Sequence, residues 1–145
     1  AGGCILASAC DFRFAGNEGK KTGLNEIDLG LPVPYLADII LRQLVSARAA
    51  NDLLFSGALI SFSQAENIGL VDHICSAESL NEEAVEQISK YVAGGTNAFA
   101  AMKSYRVDRI TQKYEAHHIE YNKVFLDCWF SDAAQEKLKE AAKNF

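Results

Sequence analysis

Over the last two thirds of the chain the apolar positions recur with a helical period, whereas the first third mixes glycines with short apolar runs. Residues 35–45 put Leu36, Ile39, Ile40 and Gln43/Leu44 on one face at i, i+3, i+4, i+7 spacing, which predicts an amphipathic helix. A second helix follows over 47–55, with Gly57 placed to stop it. Ser63-Gln64-Ala65-Glu66 has the S-x-x-E form of a capping box and predicts a short helix ended at Gly69. Ser79 or Asn81 can cap a helix running to about residue 93. Thr96 opens another toward 106, residues 111–130 form a long amphipathic one, and Ser131-Asp132 starts a last, Lys/Glu-rich helix.

The first third is less regular. Ile5-Leu6-Ala7-Ser8-Ala9-Cys10 fits a buried strand or a buried helix, because periodicity does not separate the two in so short a run. Asp11-Phe12-Arg13-Phe14-Ala15 alternates and predicts a strand, and Gly16-Asn17-Glu18-Gly19 predicts a turn. Residues 21–25 read as a short strand or extended loop, 26–34 as a loop punctuated by Gly30, Pro32 and Pro34, and 70–74 as a strand. Few strands followed by a helical tail describe an α/β chain whose sheet is too small for its helices. The chain also opens inside a Gly-rich turn and carries one methionine, Met102, so we expect a fragment or one half of a processed chain.

Composition narrows the class. With 145 residues, 49% hydrophobic and 23% charged, the chain has the make-up of a folded globular domain rather than a disordered segment. A net charge of −5 argues against a nucleic-acid partner. No stretch approaches the ~20 uninterrupted apolar residues of a membrane span. Cys4, Cys10, Cys75 and Cys128 lack CxxC spacing, which favours reduced, mostly buried thiols over a disulfide frame or a zinc site.

Two features carry candidate chemistry. Gly2-Gly3 before an apolar helix would present free backbone N–H groups at a positive helix end, suited to a phosphate or a developing oxyanion, although Gly-Gly on its own is more often a tight turn. Glu26, among Gly23, Leu24, Ile27, Leu29 and Leu31, would be partly desolvated and thereby a better proton acceptor; the competing reading is a solvated loop glutamate. Other residues read more plainly. His117 and His118 point about 100° apart on a helix and do not share a metal comfortably, so we expect a solvated or interface face. Lys20-Lys21 reads as a solvated pair beside a turn, and Cys4 and Cys10 as small buried fillers.

Residues 1–15, Ala-Gly-Gly-Cys-Ile-Leu-Ala-Ser-Ala-Cys-Asp-Phe-Arg-Phe-Ala, followed by Gly23-Leu24-Asn25-Glu26-Ile27-Asp28-Leu29-Gly30, resemble the crotonase (enoyl-CoA hydratase/isomerase) superfamily. So do Ala47-Arg48-Ala49-Ala50 through Leu53-Leu54-Phe55-Ser56-Gly57, Ile60-Ser61 through Ala65-Glu66 to Gly69-Leu70-Val71-Asp72, and Phe130-Ser131-Asp132-Ala133. The resemblance implies an α/β crotonase fold: part of a β-spiral with surrounding helices, corresponding to the family's second half. Residues 1–75 would then belong to the core, and 76–145 to a helical region for oligomerisation and pocket closure. The other half would supply most of the spiral, the segment holding the CoA adenine and the first oxyanion-hole donor.

Carried over residue by residue, the resemblance gives the Gly2 N–H as the second oxyanion-hole donor and Glu26 as the base. Hydratases of the family place a further glutamate where Ile5 stands, so a lone carboxylate resembles the Δ3,Δ2-enoyl-CoA isomerase branch, the alternatives being a hydratase or other crotonase-family reaction and a non-catalytic crotonase-like assembly module. Asn25 would contact the substrate, and Leu24, Ile5 and also Trp129 and Phe130 would line an acyl pocket, with core or interface packing the competing role for the last two. The implied ligand is an acyl-CoA thioester that brings its own coenzyme A. No metal or redox cofactor is expected, and the implied assembly is a homotrimer or hexamer.

Overall fold

The computed structural model describes residues 1–16 and 19–143. The 2–8 run is helical, α1 (Gly2–Ser8), which settles the strand-or-helix ambiguity. Ala1 O accepts from the Cys4 and Ile5 amides at 2.8 and 3.2 Å, and the buried Ser8 hydroxyl donates back to Cys4 O at 2.8 Å. Strand β1 (Phe14–Gly16) and strand β2 (Lys21–Thr22) follow, and then a 3₁₀ turn at Glu26–Leu29 where an irregular loop was expected. Asn17 and Glu18 of the expected 16–19 turn lie outside the described residues. Next come α2 (Tyr35–Leu44), α3 (Ala47–Ser56), β3 (Ile60–Ser61), α4 (Phe62–Asn67) and β4 (His73–Cys75). From there on the described chain is helical: α5 (Leu80–Val92), α6 (Thr96–Trp129) and α7 (Asp132–Ala142).

The strands form two minimal ladders. β1 pairs in parallel with β4, Phe14 opposite His73 and Gly16 opposite Cys75, while β2 pairs antiparallel with β3. Both sequence-expected strands shift toward the C-terminus for identifiable reasons. Asp11 is taken by Lys103 and Arg106 of α6, and Arg13 by a buried clasp. The Leu70 and Val71 amides bond Ala65 O at 2.8 and 3.2 Å, closing off α4 instead of joining the sheet.

Three helix expectations need correction. The capping box sits two residues earlier than Ser63/Glu66: the Gln64 amide donates to Ser61 Oγ, and the Ser61 amide to Gln64 Oε1. Gln serves as well as Glu at this position, and starting at Ser61 turns Ala65 fully inward. In α2 the deepest residues are Ala37, Ile39 and Leu41, while Leu36 is 41% exposed. That helix is covered from more than one side, by the core and by α6, so one stripe does not describe it. Finally, 96–106 and 111–130 are one 34-residue helix, about 50 Å long. Nothing in Val107-Asp108-Arg109-Ile110 breaks a helix, since Gly and Pro are absent there.

One core joins the pieces: Cys4, Ala15, Leu24, Leu41, Val45, Ala50, Leu53, Leu54, Ala65, Leu70 and Val71, with Ile5 packed against it. All four cysteines are free thiols, but Cys10 is exposed, contrary to its expected role as filler.

The long helix is tied to the N-terminal segment by charge. Burial pushes the Asp11 carboxyl up, but Lys103 and Arg106 together outweigh it and hold Asp11 below the usual carboxylate range. Because the folded-state value is depressed, this stabilisation is full above the ordinary carboxylate pKa of ~3.9 and fades as pH falls through the lower folded value. Both cations are substantially exposed, so each pair contributes up to about 1 kcal/mol. The urea midpoint is therefore expected to fall between about pH 5 and 2, and Asp11→Asn to flatten part of that slope. An unchanged slope in the variant would show that α6 docks without these pairs.

Candidate active site

The segment Gly23-Leu24-Asn25-Glu26 is held at both ends by apolar anchors. Leu24 is 2% exposed and belongs to the core; Leu31, also buried, follows the 3₁₀ turn and closes it, its amide donating to Glu26 O at 3.1 Å. Between them Gly30 caps the turn in the left-handed region, φ 74°, its bare Cα facing the fully buried Ala134 of α7. α7 itself begins at Ser131, whose hydroxyl accepts from the Ala134 amide at 3.3 Å. The turn that carries Glu26 is thus wedged between the core and the terminal helix.

Glu26 is the first residue of that turn and is half-buried. Its Oε2 is shielded from solvent and has no hydrogen-bond partner among the described residues. A buried acceptor left unpaired costs on the order of 1–3 kcal/mol, and such exceptions in folded proteins call for a reason. Asn25 is also half-buried, and its side chain does not cap the turn.

Gly2 opens α1, where the first amides of a helix have no intrahelical acceptor. Apart from its chain neighbours and the backbone of α1 itself, no atom of the described residues lies within 4 Å of where a Cβ would sit on Gly2 or Gly3, so packing against other elements does not require the bare helix start. Ile5 is half-buried on the same core as Leu24. Cys4 and Leu24 share that core, which brings the start of α1 and the Glu26 segment onto one apolar platform.

Two clefts flank this platform. One, of about 450 Å³, runs along α1 and is lined by Cys4, Ser8, Arg13, Phe14, Phe62 and Leu70 among others. The other, about 800 Å³, lies between the Glu26 turn, α2 and α6, lined by Ile27, Leu31, Val33, Leu54, Tyr121 and Phe125 among others. Neither is lined by Gly2, Ile5, Leu24, Asn25 or Glu26. Trp129 stacks on Phe125, and Phe130 is 72% exposed. His117 and His118 pack against tyrosines: His117 on Tyr35 and Tyr121, and His118 on Tyr114.

The sequence pattern gives Arg13 no role beyond its place in the alternating 11–15 run. It is 8% exposed and donates from Nε to Leu70 O, from Nη1 to Cys10 O and from Nη2 to Asp72 Oδ1, each at 3.0 Å, while its own amide donates to Asp72 Oδ2 at 2.7 Å. This clasp joins the end of α1 to the approach of β4. The available signal was an arginine between two phenylalanines in an apolar segment, with an aspartate at the end of Gly69-Leu70-Val71-Asp72. A second polar tie docks α5: hydrogen bonds from Ser79 and then His73 hold the Glu83 carboxyl below its usual range.

Comparison with known proteins places this arrangement. Residues 1–145 match the enoyl-CoA hydratase/isomerase family. A short-chain-enoyl-CoA hydratase of Clostridioides difficile is 40% identical over 92 residues, 63% of this chain and 58% of that protein. The mitochondrial enoyl-CoA delta isomerase 1 of Homo sapiens is 34% identical over 94 residues, 64% of this chain and 31% of that protein. The crystal structure of human mitochondrial delta3-delta2-enoyl-CoA isomerase superposes with a TM-score of 0.90 at 25% identity, covering 99% of this chain and 56% of that one. The chain thus spans between about a third and three fifths of the length of these relatives. Matched over its whole length and superposing on the solved isomerase over nearly all of its residues, the chain has the crotonase fold and belongs to the enoyl-CoA hydratase/isomerase family.

Proposed function

We propose that the protein carrying this chain shifts the double bond of a 3-enoyl-CoA to the conjugated 2-enoyl-CoA, with Glu26 as its general base. The observation that carries this reading is the half-buried Glu26 with an oxygen that is shielded and, among the described residues, unpaired, so that no hydrogen bond of the chain's own competes for it. Glu26 takes the C2 proton of the substrate, and the electron pair passes into the thioester, giving a dienolate. The same carboxyl then returns the proton at C4. The Gly2 N–H and a donor outside this chain would stabilise the dienolate oxygen, and the open space around Gly2 leaves room for the thioester to approach. Asn25 would contact the substrate beside the base. Ile5 and, from the core side, Leu24 would form the apolar wall. The substrate supplies coenzyme A, and this proton shuttle uses no metal or redox group.

The apolar residue at position 5 separates this reaction from hydration. Adding water across a double bond employs two carboxylates to hold and split the water, and Ile5 stands where the second would be. The competing reading, an enoyl-CoA hydratase, draws on the 40% identity to the short-chain hydratase. For assembly, a homotrimer or hexamer through the C-terminal helices is favoured by exposed apolar residues such as Ile119, Leu126 and Phe130.

The products discriminate the two reactions. Given a 3-enoyl-CoA, the native full-length protein is expected to yield the conjugated 2-enoyl-CoA without a change in mass. Given a 2-enoyl-CoA, it is expected to add little or no water. Rapid formation of the 3-hydroxyacyl-CoA, 18 Da heavier, would overturn the isomerase reading in favour of the hydratase.

A further inference from the structure

Gly57 ends α3 in the left-handed region, φ 63°, and its amide donates to Leu53 O at 3.1 Å. A Cβ built on it would lie 2.8 Å from Ile27 Cγ2 and 3.1 Å from Asp28 Oδ1. Both are side chains of the 3₁₀ turn that Glu26 begins. On the other side of the same contact, a Cβ on Gly23 would lie 2.6 Å from the Ala58 carbonyl oxygen and 3.3 Å from Leu59 Cα, backbone atoms that cannot swing away. The segment from Gly23 to Asp28 therefore lies flush on the Gly57–Leu59 connection, with a bare glycine at each point where the two backbones come closest. Glu26 sits between these two contact points.

We propose that Gly57, with the connection it opens, is the positioning element for the Glu26 carboxylate. This rests on the reading of Glu26 as general base. Any side chain at position 57 pushes on Ile27 and Asp28, the two residues after Glu26, and so rotates or lifts the turn that aims the carboxylate. The effect is on geometry rather than basicity, because Gly57 contributes no charge or hydrogen bond to Glu26. Displacing a reacting group by about 1 Å is enough to lower turnover about 10²-fold.

The test is Gly57→Ala in the native full-length protein, alongside Gly69→Ala. Gly69 is also left-handed, φ 81°, but a Cβ there would meet only Leu44 O, at 3.4 Å, far in sequence from the base segment. Both variants strain a left-handed position, so both are expected to lower the melting temperature. Only Gly57→Ala is expected to lower kcat about 10²-fold, with KM held within about twofold. Adding Ile27→Ala removes Cγ2 and should return most of the lost kcat without restoring the melting temperature.

Equal losses of kcat in the two glycine variants, or no return with Ile27→Ala, would overturn the positioning role and leave Gly57 a purely structural stop. The crystal structure of Gly57→Ala separates this proposal from the isomerase reading. An inactive wild-type protein would sink the isomerase reading. Independently of that, a displaced Glu26 carboxylate in the variant supports the positioning role, and a superimposable one refutes it.

Discussion

Replacing Glu26 with glutamine in the native full-length protein is expected to lower the conversion of a 3-enoyl-CoA at least about 10³-fold, while the affinity for the CoA ester changes by no more than a few fold. The amide keeps the size and shape of the side chain but cannot accept the C2 proton. Binding should be retained, because on the proposed reading Glu26 moves the C2 and C4 protons rather than holding the ester. Folding should also be little affected, since Glu26 Oε2 makes no hydrogen bond that the substitution would break. Formation of the conjugated product reports the rate, and calorimetric titration with a CoA ester reports the affinity. Turnover close to wild type would remove Glu26 from the mechanism. A parallel loss of affinity would make it a binding residue instead.

Arg13→Ala is expected to destabilise the fold by about 3 kcal/mol, the largest stability effect of any single substitution considered. The change leaves Leu70 O and Cys10 O without their donor and the Asp72 carboxylate without its cation. The guanidinium is buried while Asp72 is about a third exposed, which puts the loss at the lower end for a broken buried pair. Arg13→Lys should recover little, because one ammonium group cannot reach three acceptors that a planar guanidinium fork spans. Asp72→Asn should be milder, since one side-chain oxygen can still accept from the Arg13 amide. Urea denaturation of the three variants checks this order. If Arg13→Ala and Asp72→Asn were equally damaging, the ion pair rather than the backbone clasp would be what matters. The consequence reaches the site, because the clasp anchors the end of α1, whose first residue is Gly2.

Much of the helical framework was legible from the periodicity and caps alone. The boundaries of α3, with Gly57 as its stop, of α5 after Ser79, and of α7 after Ser131 agree with the expectation to within a residue or two. These are local decisions, made by a few side chains acting on their own backbone. Where two local signals overlapped, as with Ser61/Gln64 and Ser63/Glu66, the burial of Ala65 chose between them. The expected break near residue 106 failed for a local reason too, since no helix-breaking residue stands there.

The candidate base is a different matter. The residues around Glu26 predicted an apolar setting, and the resemblance of Gly23-Leu24-Asn25-Glu26 to a known family supplied the role. Neither could show that one carboxylate oxygen is buried without a partner, nor that the turn rests on Gly57-Ala58 and Ala134. Leu24 illustrates the limit: an apolar side chain beside a candidate base reads as pocket lining, and the structure adds that it is sunk in the core and anchors the segment.

By itself, the sequence determined most of the helices, the stop of α3 at Gly57, the starts of α5 and α7 after Ser79 and Ser131, and the family pattern; the helix boundaries depend on neighbours within a few positions along the chain. Only the tertiary structure decided the short strands, the Arg13 clasp and the seat of Glu26. Each of these joins residues from about thirty to just over a hundred positions apart, and whether such groups meet depends on how the intervening elements pack rather than on any local preference.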